Sequence, residues 1–129
     1  MKKSLIPIIV AAIVIAGIFI IAKVNSSPKV QVADGSNVSI VDGKQIVTIN
    51  VKGGYQPINS VAQADIPTVI RFVTKGTFDC SSSIRISSLN VSKVLPQTGS
   101  TDIDGGIPQV GVLQGMCGMG MYQFTISFQ

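Results

Sequence analysis

The chain has 129 residues, 46% of them hydrophobic, and its 10 Lys and Arg residues outnumber 6 Asp, with no Glu, His or Trp. This length leaves room for one domain. The absence of histidine excludes a Ser-His-Asp triad, a His-paired cysteine nucleophile, and His-ligated zinc or haem. Because six scattered Asp residues single out no catalytic pair, we do not expect an enzyme.

The hydrophobic residues are concentrated in an uncharged run at residues 5–22, with Lys2 and Lys3 before it and Lys23 after it. As a helix, about 18 residues extend roughly 27 Å, just enough for the hydrocarbon core of a bilayer. A cleaved signal peptide usually has a shorter apolar stretch and an A-x-A-like site, and no clean site follows this run. We therefore predict an uncleaved transmembrane anchor at residues 1–24. A signal peptide is the main alternative, and a buried soluble helix is less favoured.

The lysines around this run also affect topology and charge. Lys2 and Lys3 favour a cytoplasmic N-terminus, and so a single-pass cell-membrane protein with an extracytoplasmic domain, although Lys23 and Lys29 reduce this bias. Ten basic residues minus the three that flank the span leave seven against six Asp. No Lys/Arg cluster with interleaved aromatic residues is left, so we expect no nucleic-acid binding.

After a short linker at residues 25–28, the domain at residues 29–129 shows the periodicity of strands. Apolar side chains alternate with polar ones, as is typical of half-buried strands. The alternation predicts strands at residues 44–52, 67–73, 83–89 and 122–128. Turns are indicated at Asp34-Gly35, Asp42-Gly43, Gly53-Gly54, Lys75-Gly76, Thr98-Gly99 and Gly105-Gly106. Several short strands at this spacing, without a helical window after residue 24, predict an all-β antiparallel sandwich or barrel.

Sulfur atoms are concentrated before the last predicted strand, in the segment Gly115-Met116-Cys117-Gly118-Met119-Gly120-Met121. In extended backbone the side chains of Cys117, Met119 and Met121 leave from one face, and the glycines between them allow the sulfurs to converge. A thiolate and thioethers are soft ligands that suit Cu(I) and not Ca²⁺ or Mg²⁺. The alternative is that these methionines fill gaps in a β-core. We favour metal binding, because core methionines do not normally alternate with glycine beside a cysteine.

Cys80 is the second thiol, in the segment Phe78-Asp79-Cys80-Ser81. It could form a disulfide with Cys117, as in many exported domains with an even number of cysteines. Such a bridge would stabilise the fold by roughly 3 to 4 kcal/mol. Alternatively, both residues could be thiolates that bind one metal. Both interpretations require the two cysteines to be adjacent, and the Met-Gly-Met segment favours the metal.

Several motifs together resemble a known family. They are Gly53-Gly54-Tyr55-Gln56-Pro57, Asp65-Ile66-Pro67-Thr68-Val69-Ile70-Arg71-Phe72, Asp79-Cys80-Ser81, Leu95-Pro96 and Cys117-Gly118-Met119-Gly120-Met121-Tyr122. In this order they resemble the cupredoxin-like domains of bacterial copper-resistance systems, which include membrane-anchored Cu(I) chaperones and the N-terminal domains of copper-exporting P-type ATPases. The resemblance covers residues 47–128. It implies a cupredoxin-like Greek-key β-sandwich or barrel, here preceded by one N-terminal transmembrane helix.

The resemblance also implies a set of metal ligands. Cys80 and Cys117 would hold a tightly bound Cu(I), and Met119 and Met121 would serve a second, exchangeable Cu(I), giving one or two per chain. Met116 lies outside the family pattern and is considered only as an auxiliary ligand. A blue-copper electron-transfer site needs two histidines and a cysteine, which this chain cannot supply.

The implied function is that of a membrane-anchored Cu(I) chaperone or buffer in copper resistance. Its partner would be a copper-exporting P-type ATPase or another copper acceptor protein. Transfer to a cytosolic domain of an exporter would require the domain to face inwards, whereas the flanking lysines weakly favour the outside. Two other functions stay open: a disulfide-stabilised extracytoplasmic interaction module, and an assembly factor for a copper enzyme.

Overall fold

The computed structural model describes residues 37–129 together with residues 11, 13 and 14, which are helical. The predicted anchor at residues 1–24 therefore lies outside the described residues except at those three positions. The linker at residues 25–28, the start of the predicted domain and the predicted turn at Asp34-Gly35 lie outside them entirely. Within the described part of the chain, no helix is long and apolar enough to cross a membrane.

Residues 37–129 form ten strands and two short 3₁₀ turns. The strands are β1 (Val38–Val41), β2 (Lys44–Val51), β3 (Tyr55–Gln56), β4 (Asn59–Ala62), β5 (Thr68–Lys75), β6 (Ser83–Ile86), β7 (Val91–Val94), β8 (Thr98–Asp104), β9 (Gly111–Cys117) and β10 (Gln123–Phe128). The 3₁₀ turns are Cys80–Ser82 and Ser87–Leu89. One sheet has the order β1-β2-β5-β8 with β3 beside β2, and the other has the order β4-β10-β9-β6-β7.

The prediction of an all-β domain is confirmed for this region, but the prediction that its strands are antiparallel is wrong in two places. β2 pairs with β5 in parallel, and β4 pairs with β10 in parallel. Both pairings join strands that are not consecutive, and the chain changes sheet between β2 and β5. A strand that returns to its sheet after such a crossover can run in the same direction as its neighbour.

The core lies between the sheets and contains the apolar faces that the alternation predicts. Val47, Ile49 and Val51 of β2 are buried, as are alternate residues of β5 and β10. Phe124 lies near the centre, with edge-to-face contacts to the rings of Tyr55 and Phe72 at centroid distances of 4.9 and 5.5 Å. These aromatic contacts join the two sheets.

Two predicted boundaries are wrong. The strand predicted at residues 83–89 ends at Ile86, and residues 87–89 form a 3₁₀ turn that Asn90 closes in the left-handed conformation at φ 56°. The turn predicted at Thr98-Gly99 instead forms the start of β8. By contrast, Asp42-Gly43 is a turn between β1 and β2, with φ values of 51° and 75° that fit a tight hairpin.

One end of the sandwich brings together the segments that contain the cysteines. The hydroxyl of Thr77 donates a hydrogen bond to the backbone oxygen of Val51, which ties the segment before Cys80 to the end of β2. The backbone N–H of Gly118 donates to the oxygen of Ser83 at 3.0 Å, which ties the end of β9 to the start of β6. The two cysteine-containing segments are thereby fixed at the same end of the sandwich, one to each sheet.

Candidate metal centre

Cys80 is the first residue of the 3₁₀ turn Cys80–Ser82, and Asp79 organises this turn. The backbone oxygen of Asp79 accepts hydrogen bonds from the N–H of Ser82 at 3.2 Å and from its hydroxyl at 2.9 Å. The carboxylate of Asp79 accepts a hydrogen bond from the hydroxyl of Ser81. Short polar side chains that bond to nearby backbone favour such turns. They hold Cys80 half-buried at the edge of the core.

Cys117 is the last residue of β9 and is fully buried. It lies opposite Ile84 of β6, and its backbone N–H donates to the oxygen of Tyr122 at 2.9 Å. Gly118 follows it so closely against β6 that an added Cβ would lie 2.8 Å from the hydroxyl oxygen of Ser83. A side chain at this position would therefore displace the Ser83 hydroxyl, and the backbone on both sides of Cys117 is held by hydrogen bonds.

The structure brings Cys80 and Cys117 together as free thiols, with their Sγ atoms 2.7 Å apart. Cys80 is partly accessible, whereas Cys117 lies behind it in the core. The adjacency that both sequence interpretations require is thus present in the fold. Two sulfur atoms this close together can act as soft donors to one metal ion at the surface.

The surroundings of the pair favour ionisation of one of its two thiols. Burial raises the pKa of the Cys117 thiol, but hydrogen bonds from Cys80 and from the backbone N–H groups of residues 122, 119 and 121 outweigh burial and lower this pKa to about 7. Donation to Cys117 raises the pKa of Cys80 above its ordinary value against the opposing effect of the Met119 backbone N–H, and burial and the charges of Cys117 and Asp79 add to the increase. The pair therefore titrates as a unit, holding one proton between two sulfurs.

Met119 and Met121 lie in the hairpin between β9 and β10, in a turn before the last strand as expected. Gly120 has φ 74°, and its N–H donates to the oxygen of Cys117 at 2.9 Å, which closes the turn. The N–H of Met121 lies 3.2 Å from the Cys117 sulfur. The side chains of Met119 and Met121 are 80% and 67% exposed. The hairpin thus directs backbone donors at the thiolate, while both thioethers face solvent.

Met116 is placed differently from the other sulfur residues. It lies within β9 beside Cys117, opposite Arg85 of β6 and Gln123 of β10. Because successive side chains of a strand point to opposite faces, Met116 faces away from the buried face that carries Cys117. This position is the reason that we discard Met116 as an auxiliary ligand.

Among the described residues, no group of three or more His, Cys, Asp or Glu side chains comes together to hold a metal. A site at the cysteine pair would therefore complete its coordination with the thioethers or with a ligand from another molecule. The two thiolates have no imidazole and no group of carboxylates beside them. Such a donor set suits a soft ion of low coordination number.

Sequence reasoning assigned no role to two tyrosines beside the pair, although both occur in the motifs that carry the resemblance. The ring of Tyr55 is buried against Phe124. The ring of Tyr122 covers Gly54, where an added Cβ would lie 3.4 Å from it and where φ is 126°. Tyr122 and Met121 also line a cavity of about 370 Å³ beside the hairpin. The double glycine before Tyr55 is the signal that could have indicated this close packing.

No protein-family model matches the sequence, and no curated protein matches it either. Solved structures do match. The metal-binding domain of the Streptococcus pneumoniae D39 Cu(I)-exporting P-type ATPase CopA, solved with Cu(I), is 22% identical over 71% of this chain and 92% of that one, with a TM-score of 0.64. A copper-binding protein solved by NMR in the apo form is 25% identical over 74% of this chain and 97% of that one, with a TM-score of 0.66.

Auracyanin B is a more distant match, 12% identical over 74% of this chain and 96% of that one, with a TM-score of 0.52. All three matches cover more than nine-tenths of the solved chain and more than two thirds of this one. They confirm the predicted resemblance at the level of the fold. The described domain of this protein is cupredoxin-like.

Proposed function

We propose that this domain binds Cu(I) through Cys80 and Cys117 and acts as a copper chaperone or buffer in copper resistance. The observation that carries the proposal is the pair of free thiols, 2.7 Å apart, at the edge of a cupredoxin-like core. A pKa of about 7 at Cys117 keeps a large fraction of that residue ready as a thiolate at neutral pH. Thiolate is the form of cysteine that binds a metal.

The donor set favours Cu(I) as the metal. Soft thiolate and thioether ligands select Cu(I), whereas Ca²⁺ and Mg²⁺ prefer oxygen. The chain has no histidine, so the ligand set of a blue-copper electron-transfer site cannot be assembled from it. The domain is therefore proposed to carry copper and not to transfer electrons.

Met119 and Met121 are proposed to serve a second, more weakly bound Cu(I), so that one or two ions bind per chain. Both methionines are exposed on the hairpin that follows Cys117, where another protein can reach them. Neutral thioethers should release copper more readily than thiolates. A partner thiolate would then displace the thioethers first and the cysteines last.

The solved neighbours support copper as the cargo. The CopA metal-binding domain was solved with Cu(I), and the apo NMR structure is of a copper-binding protein. We propose that the acceptor is a copper-exporting P-type ATPase or another copper protein. We further propose that residues 1–24 anchor the domain to the cell membrane by a single span, with the domain extracytoplasmic. Confinement to the membrane would raise its effective concentration near a membrane partner.

The test is a competition titration of the fully reduced full-length protein with a Cu(I) chelator. We expect tight binding of one Cu(I) and weaker binding of a second. Cys80→Ser and Cys117→Ser should each abolish the tight site, whereas Met116→Leu should leave it intact, because Met116 faces away from the pair. A reduced wild-type protein that cannot compete with a mild chelator would contradict the proposal.

The short distance between the sulfurs also supports a second candidate, a disulfide-stabilised interaction module. Bridging would need little movement of the backbone, because the Sγ atoms are already 2.7 Å apart. In that case, mass spectrometry of freshly isolated protein should show Cys80 and Cys117 fully bridged. Replacement of Met119 and Met121 by leucine should then have no functional effect. Free thiols in the isolated protein would favour the copper-binding function.

A further inference from the structure

Tyr55 has an environment that its packing alone does not explain. It lies in the two-residue strand β3 beside Val51, it is 2% exposed, and its ring meets Phe124 edge to face. Among the described residues, its hydroxyl oxygen is the one buried side-chain nitrogen or oxygen atom that has no hydrogen-bond partner. Buried polar groups are usually satisfied, so an unpaired hydroxyl at such a position calls for an explanation.

The ring would pack equally well without its hydroxyl. Phenylalanine fills nearly the same volume and avoids the cost of burying an unpaired polar group. Two phenylalanines, Phe72 and Phe124, already occupy adjacent core positions. A phenol among them is therefore expected to have a partner in some state of the protein other than the metal-free one.

Both cysteine-containing segments meet the surroundings of Tyr55: its strand partner Val51 accepts a hydrogen bond from Thr77, and its neighbour Gly54 packs against the ring of Tyr122. Burial raises the pKa of the Tyr55 phenol, and the charges of Cys117, Cys80 and Asp79 raise it further, so the phenol keeps its proton. Asp79 already accepts a hydrogen bond from Ser81. The two cysteine sulfurs are the groups in this set that gain acceptor capacity when a metal replaces their protons.

We propose that the Tyr55 hydroxyl donates a hydrogen bond to a thiolate of the Cys80–Cys117 pair when Cu(I) is bound. This inference rests on the proposed function of the pair. Cu(I) replaces the thiol protons, which are released to solvent, and the resulting bis-thiolate complex carries one negative charge in a partly buried site. A nearby hydroxyl donor stabilises that charge without occupying a coordination position.

Tyr55 would thus be a positioning residue, which acts on the metal through the thiolate. The hydrogen bond orients the lone pairs of the thiolate sulfur and reduces the negative charge on that sulfur. The orphan hydroxyl slightly disfavours the metal-free state and favours the loaded state. Both effects strengthen binding of the first Cu(I), and neither involves Met119 or Met121.

The experiment uses carbon-13 NMR of the reduced full-length protein labelled at the tyrosine ring carbon that bears the oxygen. The chain has two tyrosines, and the Tyr122→Phe variant retains only the signal of Tyr55. We expect one equivalent of Cu(I) to shift this signal. The measurement needs no change at Tyr55, so it does not depend on a Tyr55 variant folding.

The affinity measurement uses Tyr55→Phe with Tyr122→Phe as the matched control, since each variant loses one phenol oxygen. We expect Tyr55→Phe to bind the first Cu(I) about tenfold more weakly and to melt no lower than wild type when metal-free. Tyr122→Phe should bind as wild type does. If wild type binds Cu(I) but the Tyr55 signal does not shift and Tyr55→Phe keeps the wild-type affinity, this inference is overturned and the proposed function is not. Failure of wild type to bind Cu(I) would overturn the proposed function and this inference with it.

Discussion

Gly115 offers a sharp test of the packing behind the cysteine pair. It lies opposite Phe124 across the β9–β10 ladder, and the phenyl ring occupies the space that a side chain at Gly115 would need. An added Cβ would overlap ring atoms of Phe124. The ring cannot move aside freely, because Tyr55 and Phe72 contact it at centroid distances of 4.9 and 5.5 Å. Gly115→Ala therefore overpacks the core.

Overpacking of a core by one methyl group typically costs about 1–3 kcal/mol, and the fixed ring places Gly115→Ala towards the upper end. Alanine in a strand interior is favoured over glycine by only about 0.5–1 kcal/mol, which does not offset this cost. For a domain of this size, each kcal/mol lowers the melting temperature by roughly 4–8 °C.

The assay is thermal unfolding of the reduced protein followed by circular dichroism. Val112→Ala is the matched control, because Val112 lies in the same strand but is 67% exposed. We expect a clear decrease in melting temperature for Gly115→Ala and little change for the control. A Gly115→Ala protein as stable as wild type would refute the packing described between β9 and β10.

Three further predictions concern the thiols, the thioethers and a surface ion pair. Ultraviolet thiolate absorbance should show one group that ionises with a midpoint near pH 7, and Cys117→Ser should remove it; two thiols that titrate together at their ordinary pKa would contradict the shared proton. Leucine at both Met119 and Met121 should weaken the second Cu(I) and leave the first unchanged in a chelator titration; unchanged binding of both ions would exclude the thioethers as ligands. Arg71 lowers the pKa of Asp102 through a hydrogen bond of 2.7 Å, so this pair stabilises the fold above the unfolded-state pKa of Asp102 and is lost as pH falls through the folded-state value. Asp102→Asn should therefore lower the urea midpoint slightly at neutral pH but not in strong acid, and an equal loss at both pH values would contradict the ion-pair explanation.

The sequence allowed the individual strands to be predicted better than their arrangement. The alternation in β2 and β10 depends on which residues are buried, and burial of one face is visible in a single segment. The parallel pairing of Gln45 with Thr68 is not visible in this way, because it depends on a crossover of the chain between two sheets. The end of β6 was also missed, since residues 87–89 can continue the alternation or form a turn, and the turn is closed by Asn90 in the left-handed conformation, whose N–H donates to the oxygen of Ser87.

For the candidate site, the residue types could be predicted but their local geometry could not. Cys80 and Cys117 are the chain's two cysteines, so the simplest hypothesis was that they lie close together. The hairpin at Gly118 and Gly120 was expected to let sulfurs converge, whereas its observed contribution is a set of N–H groups near the Cys117 sulfur. Tyr55 had no assigned role, because whether its hydroxyl has a hydrogen-bond partner depends on the packed core and cannot be predicted from one sequence.

The central claim is that the Cys80–Cys117 pair holds Cu(I) with sulfur ligands alone. X-ray absorption spectroscopy of the reduced full-length protein, loaded with one equivalent of Cu(I), tests it most directly. The account predicts a Cu(I) edge and a first coordination shell of sulfur, which is lost in Cys80→Ser because that variant lacks the tight site. A first shell of nitrogen or oxygen, or a spectrum that Cys80→Ser does not change, would contradict it.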